Sequence, residues 1–189
     1  MTRPGRPAGP AADTEAVVLT AALELLLAEG ALALTPQRLH AVTGVARTTI
    51  YRHWPAPRDF LAALIAVAPH ESAPPSGDPA TDLHAEVDLL CDRLHDKPVA
   101  EFLGALVTAS IGDPSCAELR RRYVLDLTRP LSTVLAALVP VSEAQSAASE
   151  IVAPLLVDIL LLDRPVDRDR AHRVAAETLD RIGCARTTK

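Results

Sequence analysis

The stretch TGVARTTIYRHWP, residues 43–55, gathers hydrogen-bonding side chains and the rarest ring of the chain into one short segment. It holds Arg47, Arg52, Thr48, Thr49, Tyr51 and His53, together with the single tryptophan, Trp54. Their shared chemistry is recognition. An arginine fork can give two hydrogen bonds to a guanine edge. A threonine methyl can meet a thymine methyl, and Tyr, Thr and His suit phosphate oxygens. Catalytic arrangements are lacking: there is no Ser-His-Asp order with a nucleophile elbow, no glycine-rich phosphate loop and no metal signature.

For these groups to stand in one outward row, the segment must be a helix held from behind. Apolar spacing supplies the support. A first helix opens near Asp13 or Thr14, buries Val18, Ala21, Ala22, Leu25 and Leu26, and stops at Gly30. The segment LTPQRLHAVTG predicts a second, short helix with Thr35 as N-cap and Pro36 in the first position, where its missing N–H does no harm. Leu39 and Val42 are expected to face inward, Gly44 to allow a tight turn, and Val45 to fill the space behind it. A third helix runs from Ala46 to about Trp54, with Ile50 inward and Trp54 anchoring the exit. Two short helices joined by a glycine turn make a helix-turn-helix, whose second helix enters the major groove. A fourth helix, from Pro57 to about Val67, turns Phe60, Leu61 and Leu64 inward.

Of 189 residues, 49% are hydrophobic and only 3% aromatic, and Ala, Leu and Val dominate. That mix predicts an all-α fold. Three segments follow: a disordered basic arm over 1–12, a helix-turn-helix domain over 13–67, and a larger helical domain over 68–189 for ligand binding and dimerisation. PHESAPPSGDPA, residues 69–80, reads as a loop. Long helices are expected near 81–96, 98–111, 114–138, 142–162 and 167–183, with Pro130 and Pro154 inside two of them. No apolar run is read as reaching the roughly 18–20 residues that span a bilayer. The N-terminus has no apolar segment of signal type, so a cytoplasmic location is expected. Cys91, Cys116 and Cys184 read as free thiols. The net charge of −5 argues against a general nucleic-acid coat. Residues 1–67 nevertheless carry six arginines against five acids, while residues 68–189 carry 13 bases against 19 acids. Only the start of the chain can approach a polyanion.

The run LTPQRLHAVTGVARTTIYRHWPAPRDFLAAL resembles the DNA-binding head of the TetR family of transcriptional regulators. The shared pattern is Thr35, then Thr43-Gly44-Val45, then Thr49-Ile50-Tyr51-Arg52-His53-Trp54. The resemblance covers about residues 14–67. It implies that Thr35, Tyr51 and His53 hold phosphates and that Arg47, Thr48 and Thr49 face bases. Gln37, Arg52 and Arg58 complete the expected DNA-binding set. Two positions depart from the pattern. His40 stands where a small alanine is common, and Pro57 stands where a phosphate-binding lysine is common, with Arg58 as its nearest replacement.

Further along, the helix near 142–162 is apolar on almost every side, which predicts burial on every side. An ordinary core satisfies that pattern. So does a four-helix interface between two copies, using Ile151, Leu155, Leu156, Ile159, Val174 and Thr178, and a palindromic double-stranded operator would require such a homodimer. Helices over 81–139 would enclose the site of a small-molecule ligand. His84, Asp88, Glu101, Phe102 and Tyr123 are the polar and aromatic candidates, in a lining that suits aliphatic or acyl groups. His84, Asp88, Cys91 and His95 share one helical face, but His84 and His95 lie about 16 Å apart along it, so one ion cannot take them all. A rim to the ligand site and a solvated face are the other readings of that row. No metal and no cofactor are expected. The functional expectation is a DNA-binding regulator, a repressor released from its operator by a small apolar ligand. The alternatives are a factor without an inducer or dependent on a corepressor, and, remotely, a helical enzyme.

Overall fold

A computed structural model describes residues 12–68 and 72–187, with side chains described as far as Gly183. The expected arm over 1–12 lies outside the described residues except for Ala12, as does the side chain of Cys184. Among the described residues the fold is all-α, with nine helices, one 3-10 turn and no strand. Two contact-dense units are present: Met1–Ala68 with Ala105–Arg120, and Pro69–Gly104 with Arg121–Lys189. Residues 105–120 thus group with the head, which the division at residue 67 does not anticipate.

In the first unit, α1 (Ala12–Glu29) buries Val18, Ala22, Leu25 and Leu26 along one stripe. A 3-10 turn, Ala31–Ala33, was not foreseen, and it delivers the fully buried Leu34 to the core. α2 (Pro36–Thr43) starts as expected: the Thr35 hydroxyl accepts the Arg38 amide at 3.2 Å, and Pro36 takes the first position. Gly44 ends α2 at φ 70, in the left-handed region that glycine enters without a steric penalty. α3 (Arg47–His53) and α4 (Pro57–Val67) follow. In α4 the Asp59 carboxylate accepts the Ala56 amide at 2.8 Å and fixes the first turn. Leu39, Ile50, Phe60 and Leu61 are fully buried, and Trp54 stacks on Phe60 with ring centroids 5.8 Å apart. Val42 corrects the sequence reading. It is 55% exposed, because the short α2 already buries Leu39 and its next turn faces solvent.

In the second unit, α5 (Pro79–Asp96) begins two residues before its expected start. Asp78 caps it, accepting the Thr81 amide at 3.0 Å, and Pro79 takes the first helical position. α6 (Val99–Gly112) and α7 (Pro114–Leu135) contribute to both units. α7 ends at Leu135, short of the expected 138. α8 (Val141–Leu161) and α9 (Arg168–Thr187) pack together, and α9 also packs on α5.

α8 departs from two expectations. It is long and apolar enough to cross a bilayer, with a stretch of mean hydropathy 1.5. It is also not buried all round: Val141, Val157 and Leu161 are exposed. Two of its three acids, Glu150 and Asp158, face α9. Asp158, buried, ion-pairs with Arg170 at 2.6 Å and with Arg164 at 3.8 Å, and Glu150 pairs with Arg181. A buried carboxylate matched by arginine is how a protein-packed helix accommodates a charge.

Glu86, on α5, is also buried. Its carboxylate accepts the Ala73 amide at 3.0 Å and so ties the segment before α5 to that helix. Burial pushes its pKa above the ordinary 4.5, more than the Ala73 bond lowers it. A raised carboxyl pKa means the folded state holds the proton more tightly than the unfolded chain. Stability attributable to Glu86 should therefore fall as pH rises from about 4.5 through the raised value. Glu86→Gln keeps the acceptor and removes the charge. Urea unfolding should find it more stable than wild type at neutral pH, with the two converging below the ordinary carboxyl range. A constant difference at every pH would show that burial of the charge is not the cause.

Candidate nucleic-acid interface

α3 has only seven residues, too few to be stable alone. Its inward side is Ile50, fully buried, and Trp54 at its end is held against Phe60. The outward side is what the buried side leaves free. Arg47, Thr48, Tyr51 and Arg52 are exposed, and Thr49 and His53 are half-buried. Arg47 and Arg52 form no ion pair among the described residues, so their donors are available to a ligand. His53 packs edgewise on Trp54, with centroids 5.6 Å apart.

The remaining head residues lie at the ends of α2 and α4. The Thr35 oxygen is occupied as an acceptor by the Arg38 amide, which leaves its hydroxyl proton to donate outward. Gln37 is exposed on the first turn of α2. Arg38, not anticipated as structural, pairs with Glu29 and so joins α2 to α1. Arg58 is exposed at the start of α4, 3.8 Å from the Asp59 carboxylate. Asp113, in the same unit, is held below the usual carboxylate range, first by the Ser115 hydroxyl and to a smaller extent by the charge of Arg58. Arg58 is thus the one cation of the expected set with acidic neighbours.

The turn between α2 and α3 contains a bond that sequence reasoning missed. His40 Nδ1 lies 2.8 Å from the Val45 carbonyl oxygen. That oxygen can only accept, so Nδ1 carries the proton. The Val45 amide donates to the Thr43 hydroxyl at 3.2 Å, and the Gly44 amide donates to the His40 carbonyl at 2.9 Å. The only sequence signal was a large polar residue at a position where a small one was expected.

The expected ligand residues are not brought together. His84 and Asp88 both face α9 and are engaged there. His84 Nδ1 is 2.7 Å from His172 Nδ1, and His172 Nε2 is 3.0 Å from Asp88, which also accepts from Arg168 at 2.5 Å. The Arg168 hydrogen bond is the main cause holding the Asp88 carboxyl below its ordinary value. Glu101 is exposed. Phe102 and Tyr123 do meet, with ring centroids 4.9 Å apart, and Arg93 lies 5.9 Å from the Tyr123 ring centre. Burial pushes the Tyr123 phenol up. Among the described residues, no group of three or more His, Cys, Asp or Glu side chains could hold a metal ion.

The expected interface residues divide. Ile151, Leu155 and Thr178 are buried within their own chain. Leu156, Ile159 and Val174 are half-buried. The outward apolar row of α8 is instead Ala153, Leu156, Val157, Leu160 and Leu161, at helical spacing.

No family model matches the sequence, and neither does any curated protein. Solved structures do match the fold. The chain is similar to the TetR family transcription regulator SCO0332, with 26% identity, a TM-score of 0.65, and 89% of this chain and 97% of that one covered. It is similar to the flavonoid-responsive regulator FrrA at 20% identity and a TM-score of 0.70, covering 93% and 97% of the two chains. It is also similar to a TetR-family transcriptional regulator from Rhodococcus sp., at 17% identity and a TM-score of 0.62, covering 90% and 99%. The all-α fold of the chain is thus similar to that of TetR-family transcription regulators.

Proposed function

We propose that the chain is a sequence-specific transcription regulator that binds a palindromic double-stranded operator as a homodimer. In this reading residues 13–67 hold the DNA, residues 68–189 serve self-association and ligand binding, and the protein works in the cytoplasm without a catalytic activity of its own. The observation that carries it is the outward face of α3: Arg47, Thr48, Tyr51 and Arg52 are exposed behind a buried Ile50. Arg47, Thr48 and Thr49, near the helix start, take the base edges. Tyr51, His53, Thr35 and Gln37 take phosphates, and Arg52 lies beside them. Arg58 joins them only by leaving its acidic neighbours.

The finer part of the reading is repression relieved by a small apolar ligand. The fold shared with a regulator described as flavonoid-responsive supports it, as does the buried aromatic pair Phe102 and Tyr123 under Arg93. Such a ligand must bind the DNA-free state more tightly than the bound one, because equal affinity shifts nothing. A hundredfold preference corresponds to about 2.7 kcal/mol, which a few buried methylenes at about 0.8 kcal/mol each supply. A ligand that tightens operator binding would make the protein a corepressor-dependent factor instead.

Selection of duplexes from a random library by the full chain, followed by binding of two variants, tests the DNA reading. Arg47→Ala should relax base preference at one position by roughly 1–3 kcal/mol. Tyr51→Phe should weaken selected and scrambled duplexes alike, since it removes a phosphate contact. Wild-type behaviour of both would remove α3 from the interface.

Self-association is tested on α8. Val157 is already exposed in one chain, so Val157→Arg should leave the fold intact and give monomers with weakened operator binding. Ile151→Arg, in the chain's own core, should unfold it. Sedimentation velocity reads both, and a Val157→Arg dimer as tight as wild type would move the interface elsewhere.

A further inference from the structure

We infer that His40 is a positioning residue for the recognition helix, setting the pitch of its first turn through the hydrogen bond from Nδ1 to the Val45 carbonyl. This rests on the reading of α3 as the DNA-reading element. A recognition helix is normally fixed at its start by an N-cap side chain that binds an amide of the first turn. Here the N-cap is Ala46, which makes no side-chain cap bond. The helix starts three residues beyond Gly44, after a turn whose glycine sits in the left-handed region. Ile50 and Trp54, both buried, anchor the middle and the end of α3. Neither restrains the end that carries Arg47 and Thr48, the residues nearest to base edges in this docking geometry.

Two side chains of α2 close the gap. Thr43 Oγ1 donates to the Leu39 carbonyl at 2.6 Å and accepts the Val45 amide at 3.2 Å. His40 donates to the Val45 carbonyl at 2.8 Å, while its own carbonyl accepts the Gly44 amide at 2.9 Å. The peptide groups on both sides of Val45 are therefore tied back to α2. His40 holds the one adjacent to Ala46, whose carbonyl accepts the Thr49 and Ile50 amides and so begins α3. Without the histidine donor, the peptide between Val45 and Ala46 can rotate, and Arg47 rotates with it. The half-buried ring reaches a backbone atom of the same unit and has no need to touch DNA.

The choice of variants follows from reach. The side-chain nitrogen of asparagine lies as many bonds from Cα as histidine Nδ1, and that of glutamine lies one bond further. His40→Asn can keep the donor, His40→Gln misplaces it, and His40→Leu removes it. The full chain is tested on a duplex that the wild type selects from a random library and on a scrambled duplex of equal composition. Loss of one hydrogen bond should lower the selected-to-scrambled affinity ratio about three- to tenfold in His40→Leu. The salt dependence should keep its slope, because no phosphate contact is lost. In the free protein, amide exchange at Thr49 and Ile50 should quicken. His40→Asn should restore both readouts and His40→Gln should not, which keeps the comparison decisive if His40→Leu fails to fold. The inference is overturned if Asn and Gln behave alike, or if both duplexes weaken together with a shallower salt slope, which would make His40 a phosphate ligand. Failure of the wild type to prefer any duplex would instead overturn the DNA reading, while the exchange rates would still report on the turn.

Discussion

A seven-residue helix has no stability of its own, and the rest of the head is built around that constraint. α3 exists because Ile50 is buried against the core and because Trp54, stacked on Phe60, closes its exit. Burial on one side is also what makes the other side useful. Each inward residue fixes the direction of its outward neighbours, so two anchors orient Arg47, Thr48, Tyr51 and Arg52 together. The start of the helix is the weak point, since Ala46 offers no cap and the turn before it depends on Thr43 and His40.

The second unit follows a different logic. Its long helices are joined as much by matched charges as by apolar contact. α9 meets α8 through Arg170 with Asp158 and Arg181 with Glu150, and it meets α5 through Arg168 and His172 with Asp88. α9 thereby holds both neighbours in register. The same α9 residue, His172, also meets His84. On α8, charge pairing toward α9 leaves an outward row in which, among the described residues, Ala153, Val157 and Leu161 are exposed and Leu156 and Leu160 half-buried.

Local signals carried the sequence reading furthest. Thr35 before Pro36, Gly44 after Thr43 and Pro57 at the start of α4 each impose a backbone state, and the helix ends fall where those residues require. Apolar spacing likewise placed Leu39, Ile50 and Phe60 in the core. Long-range pairing was not legible. Nothing about His84 in isolation says that its partner is His172, 88 residues later. The apolar face of α8 was legible as apolar, but not which side lies against its own chain. Ile151 and Leu155 lie on the side buried within the chain, and Val157 on the exposed side. Val42 shows the same limit in a shorter helix, where one buried residue per turn sufficed.

The central claim is that the outward face of α3 lies against base edges in the major groove. Methylation interference measures that directly. A duplex selected by the full chain is methylated at guanine N7, which blocks the major-groove edge without altering the phosphates, and bound and free fractions are compared. The account predicts interference at guanines in two symmetric half-sites about one helical turn apart, with one position in each half losing its sensitivity in Arg47→Ala. Binding indifferent to N7 methylation throughout the selected site would contradict it.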